Sequence, residues 1–261
     1  MIPLAALAVI AVWEVIAVAR AGHDVPDDEA WAQAAAVVRA RFQPGDLIVV
    51  APAWIDPVGR MHLGDLIPIE AAARMDADRF GTIWELSIRG ARAAETAGLT
   101  AGAVEDAGGV VVRRFERTPV EVVTDFVTAF AAAAVEGKRA GPVGPVLAEV
   151  GFAPHRCVQV EPQPDQTVRV TYRGVRLGAE LAFAVGLADV FQRRDIRDPG
   201  RLEVFVDGAS VASVEVGVDD GWVRSRAATT PSDAAEVVFA ATALGPKARK
   251  RYICFAAEAR R

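Results

Sequence analysis

The sequence predicts an α/β layer followed by an all-β sandwich, both behind an apolar N-terminal helix. Three observations carry this. Residues 2–19, IPLAALAVIAVWEVIAVA, form one apolar run of about the length that crosses a bilayer. From there to about residue 117, Ala-rich helical periodicity alternates with continuous apolar runs such as DLIVVAP and GTIWELSI. From residue 157 onward the runs become short, β-branched and punctuated by Gly, Asp and Pro, the pattern of a sandwich.

Each element has a local reason. The 1–22 segment reads as an uncleaved membrane anchor, with a cleaved signal segment and a buried helix as alternatives. Glu14 interrupts it, no Lys or Arg precedes it, and Ala17 and Ala19 resemble a cleavage site. HDVPDDEAWAQAAAVVRARF sets Trp31, Ala35, Val38 and Phe42 at helical spacing behind an acidic first turn, so an amphipathic helix is expected. DLIVVAP reads as a strand buried on both faces. A helical region over 58–78 follows, then GTIWELSI (81–88) as a second strand, a short helix near 93–99, and GGVVVRRFER (108–117) as a third strand. Residues 119–137 read as a strand passing into a helix. This small α/β domain spans 25–137. The three prolines and three glycines of 138–154 mark a linker.

The domain over 155–261 contains eight strand-like runs: CVQVEP, TVRVTY, GAELAFAVGL, RLEVFVDG, ASVASVEVG, WVRSRA, EVVFAATAL and RYICFAAEA. Eight strands separated by turn signals point to a β-sandwich of the jelly-roll type. In VFVDGASVASV the Asp-Gly pair supplies the positive φ that a tight primed hairpin turn requires. The two cysteines, Cys157 and Cys254, fall in the first and last of these strands, which are often neighbours in a sandwich. A disulfide is therefore expected, with two buried thiols as the alternative. Closing so long a loop would stabilise the fold by roughly 2–5 kcal/mol and favours an extracytoplasmic compartment.

The 155–261 segment resembles the galactose-binding-like jelly rolls found as carbohydrate-binding modules, through its LEVFVDG hairpin, the DDGW turn (219–222) and the closing strand. That resemblance implies sugar binding. The first half resembles the extracytoplasmic α/β domain of polyprenol-phosphate-sugar glycosyltransferases, in which a helix–PGD–apolar-strand opening recurs, here AVVRARFQPGDLIVVAP. The many membrane helices that carry catalysis in that family are missing from this chain, so the resemblance implies a location near glycan assembly and no activity.

The formal net charge of −5 and a pI near 5.4 give no general attraction for nucleic acid. In an open α/β sheet ligands bind beyond the carboxyl ends of the strands. The loop leaving the first strand places Trp54, Asp56, Arg60, His62 and Asp65 there, with Trp84, Glu85 and Arg89 on or just after the second. His62 and Asp65, three apart on a helix, are candidates for a general-base pair, and Asp56 is a third catalytic candidate. Trp54, Arg60 and Trp84 are candidate ligand contacts. Each has a structural alternative: Asp56 caps a helix that Pro57 opens, Trp54 covers the sheet, and Arg60 pairs with an acidic neighbour.

In the sandwich, sugar binding calls for an exposed ring beside carboxylates or Arg. Trp222, Tyr172 and Phe191 are the available rings. Asp189, Arg193, Arg194 and Asp195 make 186–195 the most polar loop. Trp222, Asp189 and Arg193 are taken as ligand contacts. No metal is expected, because His23, His62 and His155 are far apart and no HxxxH or CxxC occurs. Asp207, Asp219 and Asp220 lie at turns that could hold Ca²⁺, but no ligand spacing demands it. Without GxGxxG, a P-loop or a GxSxG around Ser87, no cofactor and no serine nucleophile are expected. The expectation is a membrane-anchored, extracytoplasmic envelope protein, more a binder of a glycan or protein partner than an enzyme. The alternative is an envelope transferase or hydrolase with its site above the first strands.

Overall fold

The computed structural model describes residues 2–23, 25–188, 197–246 and 251–261, with the side chains of 2–5 and 19–23 left aside. The chain divides into two compact units. One comprises 1–68 and 80–119; the other comprises 69–79 and 120–261.

The first unit contains helix α1 (Ile2–His23), 22 residues long. Among the described residues no helix is long and apolar enough to cross a membrane, so the expected transmembrane anchor has no support in the structure. Helix α2 (Asp28–Arg39) starts where Asp27 accepts the Ala30 N–H, and buries Trp31, Ala34, Ala35 and Val38. Phe42 falls beyond its end. Strand β1 (Leu47–Ala51) is buried at every position, as its unbroken apolar run requires. Helix α3 (Asp56–Leu63) follows after a short 3₁₀ turn. Strands β2 (Thr82–Ser87), β3 (Ala103–Ala107) and β4 (Val110–Glu116) complete a sheet of order β1-β2-β4-β3. β1 and β2 run parallel and the other pairs antiparallel. The helix expected near 93–99 is a single 3₁₀ turn over Ala94–Thr96.

The second unit opens with the four-residue helix α4 (Ile69–Ala72). Residues 119–137, expected to pass into a helix, instead form β5 (Val122–Asp125), a 3₁₀ turn and β6 (Ala134–Glu136). The Ala-rich half lacks the length and capping that an isolated helix needs. The 138–154 segment is not an open linker, because it carries β7 (Gly144–Val150), paired along its length with β8 (Ala153–Val160). Pro145 is tolerated within it because β7 is an edge strand.

The remaining strands are β9 (Thr167–Leu177), β10 (Glu180–Ala188), β11 (Gly200–Val206), β12 (Ala209–Val216), β13 (Val223–Ala228), β14 (Ser232–Ala243) and β15 (Tyr252–Arg260). They form two sheets, β13-β10-β15-β8-β7 with β5 on β15, and β12-β11-β14-β9-β6. The orders β8-β15-β10-β13 and β9-β14-β11-β12 are those of a jelly roll, in which consecutive strands alternate between sheets except at the β11–β12 hairpin. Inward-facing residues of both sheets, among them Val158, Phe183, Val204, Phe239 and Phe255, make one apolar core. Asp207 (φ 47°) and Gly208 (φ 82°) form the primed turn of the β11–β12 hairpin. The expected disulfide joins Cys157 to Cys254 with a Cα–Cα separation of 5.6 Å. It ties β8 to its neighbour β15 on the outer face of the sheet, beside Ala148, Val150, Ala188 and Trp222.

Candidate functional site

Of the polar residues that leave β1, Asp56, Arg60 and Asp65 find charged partners, and His62 packs against α2. The Asp56 carboxylate accepts from Arg60 one turn along α3, and the helix start has no side-chain cap, so the expected capping role is not taken. Asp65 is held by Arg39, whose two terminal nitrogens donate at 2.7 and 2.6 Å. Arg39 also donates to the His62 carbonyl. The Arg39 hydrogen bond keeps the Asp65 carboxyl below the usual carboxylate range. The His62 ring stacks on Trp31 with centroids 6.4 Å apart. Its Nε2 lies 3.1 Å from Asp28 Oδ1, near enough for an ion pair but not aligned as a hydrogen bond. The anticipated His62–Asp65 general-base pair is therefore not assembled, because Asp65 belongs to Arg39 and His62 faces α2.

Trp84 is 1% exposed and cannot meet a ligand. Its indole donates to Asp46, and the guanidiniums of Arg41 and Arg114 lie 5.6 and 5.5 Å from its ring. The neighbouring Glu85 is fully buried. Its oxygens accept from the Ala93 N–H (2.9 Å), the Thr96 hydroxyl, Arg92 (3.3 Å) and Arg113 (3.2 Å). A buried carboxylate saturated in this way is a structural pin that folds the 88–96 loop over β2. Of the candidates in this unit only Trp54 presents an exposed ring, at 65%.

In the sandwich Trp222 is partly buried, not an open platform. It stacks on His155 at 4.3 Å and 12°, and its indole donates to the Met75 carbonyl at 3.1 Å. Burial pushes the His155 imidazole down to about 4, so the ring is neutral near pH 7. Tyr172 is 1% exposed, donates to the Phe126 carbonyl, and is pushed up from the usual phenol range by burial. Asp189, Phe191, Arg193, Arg194 and Asp195 lie outside the described residues. Among the described residues no three His, Cys, Asp or Glu side chains gather as a metal site.

Two features escaped the sequence. On the outer face of β15, Arg260 is 1% exposed; it pairs with both Asp76 oxygens at 2.9 Å, with Glu258 at 2.7 Å and with Asp78 at 3.1 Å. Arg79 and Arg226 extend the network to Glu258 and Asp78. It binds the 69–79 segment to the sheet, and burial pushes the Glu258 carboxyl up. The alternation in AEAR was the available signal for it.

The second feature is the two-residue turn between β7 and β8. Gly151 and Phe152 both have positive φ, at 60° and 65°, as a primed turn demands. A bulky Phe rarely adopts this conformation, yet here it does so with 84% of its surface exposed. A Cβ on Gly151 would lie 3.0 Å from Gly221, so the turn packs against the 217–221 loop, backbone on backbone. That loop carries Asp219 and Asp220, both exposed; Asp220 accepts from the Gly217 N–H at 2.7 Å. The turn thus carries an exposed ring and packs, through Gly151, on a loop that carries two exposed aspartates.

No family model matches the chain, and no curated protein does. Among solved structures, the chain is similar to the CBM51-2 and INT domains of ZmpB from Clostridium perfringens (13% identity, 49% of this chain, 28% of that one, TM-score 0.32). It is also similar to the tandem CBM51 modules of a family 98 glycoside hydrolase from Streptococcus pneumoniae (10%, 59% and 57%, TM-score 0.35). A third is the CBM51 of a Clostridium perfringens GH95 in complex with methyl-galactose (11%, 52% and 98%, TM-score 0.35). The first two are matched over less than two thirds of their own length. Likeness at this level carries no argument about what the chain binds.

Proposed function

We propose that the protein is a non-catalytic, extracytoplasmic glycan-binding protein, with its sugar subsite at the end of the sandwich formed by the 151–152 turn and the 217–221 loop. One observation carries the reading. Phe152 is held by a strained, glycine-backed turn in full view of solvent, where it has no packing role. Backbone strain of this kind, costing of order 1–3 kcal/mol, persists at functional sites. An exposed ring offers an apolar face to the C–H side of a pyranose, and Asp219 and Asp220 can accept from its hydroxyls. The disulfide supports a location outside the reducing cytoplasm. Attachment to a lipid surface falls to α1, which exposes eight large apolar residues between Leu7 and Val18.

The enzyme alternative needs His62 to converge with two charged groups; the pairing of Asp56 with Arg60 and of Asp65 with Arg39 favours the binding reading over it. The test is glycan-array binding by wild type, Phe152→Ala and Asp219→Asn. Wild type binds a subset of glycans, Phe152→Ala loses them, and Asp219→Asn weakens them. A folded wild type that binds no glycan, or a Phe152→Ala variant that binds as well as wild type, rejects the reading. Thiol labelling of protein unfolded without reductant addresses location: two reactive thiols in material taken from its native compartment would refute it. Vesicle flotation of the full chain beside one lacking 1–22 tests α1, and equal flotation would remove its lipid role.

A further inference from the structure

Helix α3 and the turn before it have two faces of opposite kind. Ile55, Gly59 and Leu63 are buried, and a Cβ on Gly59 would lie 2.6 Å from a Val50 methyl, so the helix backbone sits close on β1. At about 100° per residue, Trp54, Pro57 and Met61 fall in one stripe on the far side. All three are exposed, Trp54 by 65% and Met61 by 79%. The charges beside the stripe are neutralised in pairs, Asp56 by Arg60 and Asp65 by Arg39. The surface is apolar along its centre and balanced in charge at its rim.

What meets that surface follows from its neighbour in the chain. The eight large apolar residues that α1 exposes between Leu7 and Val18 spread around the whole helix, with Glu14 the one charge among them. A single protein groove does not cover such a helix, whereas an apolar medium does. Four residues separate the end of α1 at His23 from the start of α2 at Asp28, a reach of at most about 18 Å. The far end of α3 stands at that same start of α2. Its His62 ring stacks on Trp31 with centroids 6.4 Å apart, and His62 Nε2 lies 3.1 Å from Asp28 Oδ1. Met61 is the adjoining residue, so lipid that holds α1 is within reach of the stripe. An indole suits the headgroup level, with its ring toward the apolar layer and its N–H toward water. The balanced rim asks for no anionic lipid.

We propose that the Trp54–Pro57–Met61 face of α3 is a second membrane contact, inserting at the headgroup level of the bilayer that receives α1. The proposal rests on the reading of α1 as the lipid attachment, and it is independent of the Phe152 turn.

Both cysteines are buried and joined to each other, so one added thiol takes a label alone. The full chain with Met61→Cys, labelled with nitrobenzoxadiazole, is mixed with phosphatidylcholine vesicles, with and without a nitroxide-bearing phosphatidylcholine. The control label is at Val104→Cys, 58% exposed on β3 at the opposite edge of the sheet from β1. On vesicles that float the protein, the Met61 label shifts to shorter wavelength and is quenched by the nitroxide; the Val104 label does neither. Trp54→Gln, at an exposed position, leaves the melting temperature unchanged. It lowers the ratio of inserted to free Met61 label about ten-fold, because one large apolar side chain is withdrawn from lipid. A chain that floats with its Met61 label unshifted overturns the proposal and leaves the role of α1 intact. A chain that does not float overturns both. Quenching of both labels alike overturns the assignment to this face. So does a shift without vesicles: growth with protein concentration gives the face to a second copy, and loss on removal of 1–22 gives it to α1 of the same chain.

Discussion

The loop that leaves β1 and the turn that joins β7 to β8 handle their side chains in opposite ways. Between Trp54 and Asp65 lies a dense set of residues that chemistry favours, yet Asp56 and Asp65 are held by Arg60 and Arg39, and the His62 ring is stacked on Trp31. The 151–152 turn holds one glycine and one phenylalanine, and its ring stands 84% exposed on a backbone that resists it. Residue type therefore says less about a site than whether the group is satisfied where it sits. A partnered aspartate explains itself, whereas an unpacked ring on a left-handed backbone asks for a ligand.

The contrast can be broken at several points. The largest effect is expected at Glu85, the extreme case of a satisfied group in the first unit. Glu85→Ala leaves the Arg92 and Arg113 guanidiniums and the Thr96 hydroxyl without their common acceptor. It should destabilise that unit by about 3–5 kcal/mol in urea titration; a loss below about 1 kcal/mol would show that the cluster is not a pin. Next comes pH. Burial holds the folded His155 at about 4 against 6.5 in the unfolded chain, so the unfolded state takes up the proton first as pH falls. The stability from neutral His155 is complete above 6.5 and is lost progressively towards 4, up to about 3 kcal/mol. Glu258 acts in the opposite sense, because its raised carboxyl binds a proton more readily folded than unfolded. His155→Phe should flatten the profile between pH 6.5 and 4, and parallel profiles for the two proteins would reject the assignment.

Phe152→Asn separates stability from binding. Asn tolerates the left-handed conformation, so the variant should gain about 1 kcal/mol while losing glycan binding. A variant that loses stability would mean that the ring packs in solution. The smallest effect is expected at Asp56. Its half-exposed pair with Arg60 is an ordinary one-turn helix pair, and Asp56→Asn should cost below about 1 kcal/mol. A several-fold loss of glycan binding in that variant would return the loop to consideration as a site.

What could be read from the chain follows the strength of the local signal. Continuous or alternating apolar runs marked β1, β2, β4 and all eight strands from β8 to β15, because burial on one or both faces writes itself into the period. Asp207-Gly208 marked its hairpin through the backbone alone. β3 was missed, because AVEDA is a half-exposed edge strand without an apolar face. β7 was hidden by Gly144 and Pro145 and by the prolines and glycines on either side of it; an edge strand tolerates a proline where a central one does not. The candidate site was legible only in outline. Trp222 stood out as one of three rings that the sandwich sequence offers. That a His from β8 would cover it, and that the exposed ring would be Phe152, depends on pairings about 70 residues apart.

The disulfide also has a mechanical meaning. β8 and β15 share only three residue pairs, Val158–Val160 against Ile253–Phe255. A tug on a ligand held at the 151–152 turn would enter the sheet through β8 and meet that short ladder first. The Cys157–Cys254 bond bridges the ladder covalently, so the load passes straight into β15, which lies between β8 and β10. If that turn holds a ligand as proposed, the bond rivets the strand behind it to the closing strand of the same sheet.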